Sequence, residues 1–109
     1  MGSIQMTSKI RAYLRSQAQL LEATVQIGKE GVAPEVTEQV SEALEARELV
    51  KVNVQRNCLE DVKEIAQTLS ERTRSDVVQV IGRKIVLYRP AKEPKIVLPK
   101  IAKKAKPDD

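Results

Sequence analysis

Apolar side chains recur at two spacings along this chain, and each spacing predicts a type of element. The helical period of three to four residues runs through about 7–21, 34–47 and from 59 into the ERTRSD segment. A period of two, typical of a strand with one buried face, runs through 23–27 and 49–55. Two apolar runs, 77–81 and 84–88, flank Gly82 and Arg83 and predict a tight hairpin. The predicted order is α-β-α-β-α-β-β.

This order predicts an α/β fold. Strands that alternate with helices are expected to be parallel and joined by right-handed crossovers, and the final hairpin adds an antiparallel strand. Val25 and Ile27 alternate with polar residues, as do Val50, Val52 and Val54, so we expect helices on only one face of the sheet. The prediction is a two-layer sandwich with a four-stranded mixed sheet.

Three further placements follow from the same pattern. The third helix is expected to bury a stripe formed by Leu59, Val62, Ile65, Ala66 and Leu69. Tyr88 is expected on the open face of the sheet, as a packing residue. Cys58 is expected to be a buried or half-buried small apolar residue.

The composition limits the chemistry that the chain can carry. It contains one cysteine and no histidine, which excludes an internal disulfide, a Ser-His-Asp or Cys-His arrangement and the usual zinc sites. No acid–base pair, metal set or activated nucleophile can be named. We therefore predict a protein that is not an enzyme, with no cofactor and no small-molecule substrate.

A chain of 109 residues fits one domain. We divide it into an N-terminal extension or tag at 1–6, a folded domain at 7–99 and a basic flexible tail at 100–109. No apolar run approaches the roughly 18 residues of a membrane span, and the first residues contain no secretory signal. We expect a cytoplasmic monomer that does not enter a membrane.

The charges are unevenly distributed. Nineteen basic and fifteen acidic side chains give a net charge of +4, but residues 33–48 carry −4 and residues 83–109 carry +6. This asymmetry predicts one side that faces a polyanion, so nucleic acid is the first partner to consider. Two tyrosines without phenylalanine or tryptophan provide no stacking platform. We expect recognition of backbone and shape, with strong salt dependence.

A Gly-x-x-Gly segment, GKEG at 28–31, lies between the first predicted strand and the second predicted helix. It can be a sharp turn that needs flexible residues. It lacks the Lys-Ser/Thr of a Walker loop and the third glycine of a dinucleotide fingerprint, which disfavours nucleotide binding. It can also clamp a phosphate with its backbone N–H groups, the helix dipole and Lys29, as the Gly-x-x-Gly loop of KH modules does.

The phosphate-clamp interpretation defines a set of candidate RNA-binding residues. They are Gly28, Lys29, Glu30 and Gly31 in the loop, Lys9, Arg11 and Arg15 on the first helix, and Lys51, Arg83 and Lys84 on the strands and hairpin. The lysines and arginines are expected to meet phosphates as a group, since single surface charges are common.

A resemblance to the CRM domain, in its stand-alone bacterial form known as the YhbY family, rests on three segments. They are LRSQAQLLEATVQIGKEGVAPEV, ALEARELVKVNV and VVQVIGRKIVLYRPAKEPKIVLP, within a likeness that runs from about Thr7 to Pro99. The resemblance implies a fold similar to the C-terminal domain of translation initiation factor three, with helices on one face of a mixed sheet. It implies an RNA-binding protein without enzymatic activity, associated with precursors of the large ribosomal subunit. It also implies that 28–31 is the family's Gly-x-x-Gly loop and that Lys9, Arg11 and Arg15 form its basic helix face.

Three functions remain open at this point. The first is a ribosome assembly factor that holds rRNA of the large-subunit precursor through the GKEG loop and the adjacent basic surface. The second is a protein adaptor that docks on a basic ribosomal protein through the acidic stripe Glu35, Glu38, Glu42 and Glu45. The third is weak, sequence-blind DNA binding through the basic tail.

Overall fold

The computed structural model describes residues 7–91, which form three helices and four strands in the predicted order. The elements are α1 (Ser8–Ala18), β1 (Val25–Ile27), α2 (Pro34–Arg47), β2 (Leu49–Val54), α3 (Val62–Thr73), β3 (Asp76–Ile81) and β4 (Lys84–Tyr88). The predicted extension at 1–6, the end of the predicted domain at 92–99 and the predicted tail at 100–109 lie outside the described residues.

The strands form one sheet in the order β1-β2-β4-β3. β1 is parallel to β2, with Val25 opposite Val52, whereas β4 is antiparallel to both β2 and β3. β4 therefore lies between β2 and β3. The connection from β2 through α3 to β3 crosses over β4. The predicted four-stranded mixed sheet is confirmed.

Local sequence explains where several elements begin and turn. The hydroxyl of Thr7 accepts a hydrogen bond of 3.1 Å from the backbone N–H of Ile10, which caps α1. Pro34 occupies the first turn of α2, where its missing N–H has no helical partner to lose. Gly82 adopts a φ of +56° between β3 and β4, as the predicted tight hairpin requires.

One face of the sheet carries the larger hydrophobic core. α2 and α3 cover this face, and Val40, Leu44, Ile65 and Leu69 of these helices are buried there. The inward-facing strand residues are the predicted ones, Val25, Ile27, Val50, Val52 and Val54, together with Ile85 and Leu87 of β4.

Helices lie on both faces of the sheet, so the prediction of two layers with helices on one face is wrong. α1 packs against the face opposite α2 and α3. Its buried stripe, Ile10, Leu14 and Ala18, meets Leu49, Val78, Val86 and Tyr88. The physical reason lies in β4, whose KIVLY run is apolar on both sides and requires cover on both faces.

Two residue placements differ from the prediction, and one agrees with it. Leu59 is 94% exposed and precedes α3, which begins after an extended Asp61 instead of at Leu59. Tyr88 is only 1% exposed because α1 covers the face that the pattern left open. Cys58 is buried in the larger core, as predicted.

No helix within residues 7–91 has both the length and the apolar character to cross a bilayer.

Candidate nucleic-acid interface

The GKEG loop lies at one edge of the sheet, where three segments meet. The loop follows the end of β1, and the backbone N–H of Gln55, just after β2, donates to the carbonyl of Ile27 at 2.8 Å. The hairpin joins the same edge, because the N–H of Val54 donates to the carbonyl of Arg83 at 2.8 Å. Ligands of open α/β sheets characteristically bind at the carboxyl ends of the strands, which is this edge.

The loop itself is a closed turn with exposed residues at its tip. The N–H of Gly31 donates to the carbonyl of Gly28 at 3.0 Å, and Gly31 adopts a φ of +68°, which favours glycine. Lys29 and Glu30 at the tip are exposed. Within residues 7–91, the backbone N–H groups of Lys29, Glu30 and Val32 have no hydrogen-bond acceptor. They are therefore available to an external acceptor.

The first turn of α2 adds further donors beside the loop. Its N-cap, Ala33, has no side chain that can accept a hydrogen bond, and the first helical N–H that is satisfied belongs to Thr37. The N–H groups of Glu35 and Val36 thus have no acceptor among the described residues. Unsatisfied N–H groups and the positive end of the helix dipole together favour an anion.

Carboxylates border one side of the loop. A Cβ built on Gly31 would lie 2.9 Å from Oε2 of Glu60, so the Glu60 side chain lies directly against the buried glycine. Glu35 and Asp61, both exposed, begin the two helices on that side. The positive φ of Gly31 favours glycine at this position, whereas the Glu60 carboxylate ends an exposed, flexible side chain that can move aside.

Basic side chains lie on the hairpin and in the turn after β2, at the same end of the sheet as the loop. Arg83 in the hairpin donates from Nη1 to the carbonyl of Gln55 at 3.1 Å and remains exposed. Lys29 and Lys84 are exposed and make no side-chain hydrogen bond or ion pair within residues 7–91. Arg56, exposed in the turn after β2, was not among the predicted residues. Its position directly after the alternating segment 49–55 was the sequence feature that could have identified it.

The basic residues of α1 do not gather around the loop. Arg11 donates from Nη1 to the carbonyls of Val77 at 2.6 Å and Val78 at 2.9 Å, near the start of β3. The GKEG loop lies at the opposite end of the sheet, level with the end of β3. Lys9 and Arg15 form no side-chain hydrogen bond or ion pair in the described part of the chain. A role for these three residues in binding RNA stays a prediction.

Polar side chains on the α1 face continue the surface from the hairpin. Lys51 donates from Nζ to the carbonyl of Leu21 at 3.0 Å, and Nδ2 of Asn53 donates to Oε1 of Gln26 at 2.7 Å. Lys84 lies opposite Asn53 on the neighbouring strand, so it projects from the same face. Gln26 and Asn53 were missed as candidates, although they occupy the polar positions of the alternation.

Beneath α1 the environment raises two pKa values. Burial, together with the charges of Glu48 and Asp76, raises the pKa of Tyr88 to about 12. Burial also raises the pKa of Asp76, while Arg11 lowers it. Across residues 7–91 no three His, Cys, Asp or Glu side chains converge as metal ligands would.

Similar proteins carry the same domain. The model of the "CRS1 / YhbY (CRM) domain" matches residues 6–89. "Probable RNA-binding protein YqeI" of Bacillus subtilis is 48% identical over 90 residues, which are 83% of this chain and 94% of that protein. "Probable RNA-binding protein MJ0652" of Methanocaldococcus jannaschii is 39% identical over 102 residues, covering 92% of this chain and 75% of that protein.

Two further matches agree with these. An "RNA-binding protein" of Haemophilus influenzae is 34% identical over 95 residues, covering 87% of this chain and 96% of that protein. The solution structure of the Staphylococcus aureus protein SAV1595 is 50% identical and superposes with a TM-score of 0.75, covering 87% of this chain and all of that one. Sequence and fold therefore agree, and the chain belongs to the CRS1/YhbY (CRM) domain family.

Proposed function

We propose that this protein binds RNA and that its target is rRNA in the precursor of the large ribosomal subunit. Three relatives that share 34–48% of their aligned residues with this chain are named as RNA-binding proteins. The observation that carries the proposal is the GKEG loop, with backbone donors that have no acceptor in residues 7–91 and a lysine at its tip. Such a loop suits a sugar–phosphate backbone.

The charges around the loop define how RNA approaches. Glu60, Asp61 and Glu35 repel phosphate on the side of α2 and α3. Arg83 and Lys84 attract it on the side of the hairpin. The strand of RNA therefore passes over the hairpin side of the loop, and the proposed contacts are the loop N–H groups, Lys29 and these two side chains.

A charge reversal at the loop tip tests the RNA-binding role. We expect Lys29→Glu to weaken binding to a large-subunit rRNA fragment roughly tenfold, with a salt slope that is smaller by about one. Fluorescence anisotropy over a series of salt concentrations measures both quantities. Arg72→Glu is the matched control, because it makes the same charge change on an exposed residue in the last turn of α3. Equal affinities for Lys29→Glu and the wild type would remove the loop from the proposal.

The identity of the RNA needs a separate experiment in cells. Ultraviolet crosslinking followed by sequencing of the bound RNA is expected to recover rRNA of the large subunit. The Lys29→Glu variant is expected to recover less of it at equal protein abundance. Recovery dominated by messenger or transfer RNA would contradict the ribosomal part of the proposal while leaving RNA binding in place.

An adaptor function is the second candidate, favoured by one observation. The four glutamates of the predicted acidic stripe, Glu35, Glu38, Glu42 and Glu45, are all exposed on α2. If this stripe docks on a basic ribosomal protein, Glu38→Gln with Glu42→Gln abolishes association with the pre-ribosome and leaves binding to free RNA intact. Loss of particle association only in Lys29→Glu would favour direct RNA binding instead.

A further inference from the structure

A cavity opens beside the C-terminal end of α1, on the face of the sheet that this helix only partly covers. Its volume is about 240 Å³. Ala18 at the end of α1 and Val86 of β4 form apolar walls, and Ile81 of β3, 59% exposed, forms the rim. The cavity is smaller than the roughly 300–1,000 Å³ of pockets for drug-sized ligands, so a single flat ring system is the suitable size.

The polar side chains that line the cavity include donors and acceptors with no internal partner. Gln79 lies opposite Val86 in the sheet and projects from the same face as Lys84. In the part of the chain that the structure describes, the side chains of Gln79 and Lys84 form no hydrogen bond or ion pair. Lys51 completes the polar side, although its ammonium group already donates to the carbonyl of Leu21.

The charge of the cavity selects the class of ligand. Of the residues between 7 and 91 that line it, two are lysines and none is acidic. Glu22 lines only the adjoining depression, which shares Lys51 and Lys84 with the cavity. An anionic ligand with a flat, hydrogen-bonding ring matches two ammonium groups, the two primary amides of Gln19 and Gln79, and aliphatic walls.

We propose that this cavity takes one unstacked base of single-stranded RNA, with the adjacent phosphate on Lys84. The inference rests on the proposed RNA binding and adds a base-reading subsite to a surface otherwise expected to contact only the backbone. The amide of Gln79 donates to and accepts from the edge of the base, while Ala18 and Ile81 contact its faces. Lys84 begins β4 directly after the hairpin, which connects the cavity to the phosphate path along Arg83 and the GKEG loop.

Chemical shifts of ¹⁵N-labelled protein test this placement directly. The probe is a single-stranded RNA of about eight nucleotides, with ribose 5-phosphate and adenosine 5′-monophosphate as smaller probes. We expect the RNA to shift the side-chain amide of Gln79 and the backbone amides of Ile81 and Lys84. Ribose 5-phosphate, which lacks a base, is expected to leave the Gln79 amide unmoved.

The outcomes separate this inference from the function on which it depends. RNA that shifts the loop at 28–31 but not Gln79 would overturn the base subsite and leave RNA binding intact. RNA that shifts no resonance would overturn both. Adenosine 5′-monophosphate that binds as tightly as the oligonucleotide would also overturn the inference, because the cavity would then be a site for free nucleotide.

Two substitutions sharpen the test by affinity. Gln79→Leu keeps the size of the side chain and removes its hydrogen bonds, and we expect roughly tenfold weaker binding of single-stranded RNA. Gln67→Leu, at an exposed position of α3, is the matched control, and we expect this variant to bind single-stranded RNA as tightly as the wild type does. Duplex RNA, whose bases are paired, is expected to bind both variants equally. Equal weakening of single-stranded and duplex RNA by Gln79→Leu would contradict a base subsite.

Discussion

The two faces of the sheet differ in their cover and in their charge. Two helices cover the face that includes Val50, Val52 and Val54, and the outer surface of α2 carries four exposed glutamates. One helix covers the other face, and only over the half that contains Leu49, Val86 and Tyr88. This helix carries three basic residues and no acidic one.

Under the proposed RNA binding, the difference separates a structural face from a binding face. Complete cover with an acidic exterior stabilises the sheet and repels polyanions. Partial cover by a basic helix leaves Lys51, Asn53 and Lys84 accessible beyond the end of α1. The GKEG loop follows β1 at the end of the sheet that also carries the hairpin, with Glu60 against Gly31 and with Arg83 beyond the end of β2.

The largest expected effect tests whether α1 is an integral part of the fold. Leu14 is fully buried between α1 and the sheet, so Leu14→Ala leaves a cavity. We expect the free energy of unfolding to fall by about 2–5 kcal/mol, measured by urea denaturation. Leu20→Ala, at a residue that is 81% exposed just after α1, is expected to change it by less than about 0.5 kcal/mol. A small effect of Leu14→Ala would mean that α1 is only loosely attached to its face.

A second prediction concerns the pH dependence of the same face. The pKa of Tyr88 rises from 10.0 in the unfolded chain to about 12 in the fold, so the unfolded chain loses this proton first. Stability from Tyr88 is therefore complete below pH 10 and falls as the pH rises towards 12, by about 2–3 kcal/mol in total. Urea denaturation at each pH gives the free energy of unfolding of the wild type and of Tyr88→Phe. The difference between the two isolates the contribution of Tyr88, because the other titrating groups contribute equally to both proteins.

Tyr88→Phe is expected to lack this alkaline loss. Tyr13→Phe, which leaves Tyr88 in place, is expected to retain it. Parallel stability curves for the wild type and Tyr88→Phe above pH 10 would show that the phenol under α1 is better hydrated than its burial indicates.

The smallest expected effect concerns the charged side chains of α1 and α2. Lys9→Gln with Arg15→Gln on α1 is expected to weaken RNA binding by about 1 kcal/mol and to reduce the salt slope by up to about two. Glu38→Gln with Glu42→Gln on α2 is expected to leave the affinity unchanged or slightly higher. Filter binding at several salt concentrations measures both. If the α2 pair weakened RNA binding as much as the α1 pair, the two faces would not differ in function.

The element order and the larger core could be predicted from the sequence. Alternation identified Val25, Ile27, Val50, Val52 and Val54 as inward-facing, and all five are buried in that core. The position of α1 was missed, because an apolar stripe shows that a helix packs but not against which face. The apolar residues Val86 and Tyr88 of β4 contained the missing signal.

The candidate site was predictable to a smaller extent. The loop and the hairpin lie at the same end of the sheet because the end of β2 pairs with the end of β1 on one side and with the start of β4 on the other. Gly31 and Glu60 lie in the loops that precede α2 and α3, and their contact depends on how these two loops pack, which spacing along the chain does not reveal. The same holds for the partners of Arg11, which are 66 and 67 residues away.

Arg11 also satisfies two backbone acceptors on an outer strand of the sheet. β3 is an outer strand of the sheet, and its pairing with β4 is irregular between Val77 and Gln79. Unpaired carbonyls on an outer strand are a template for strand addition and aggregation. The guanidinium of Arg11 donates to the carbonyls of Val77 and Val78, so these two acceptors of the outer strand already have a partner within the chain and are not free to pair with an added strand.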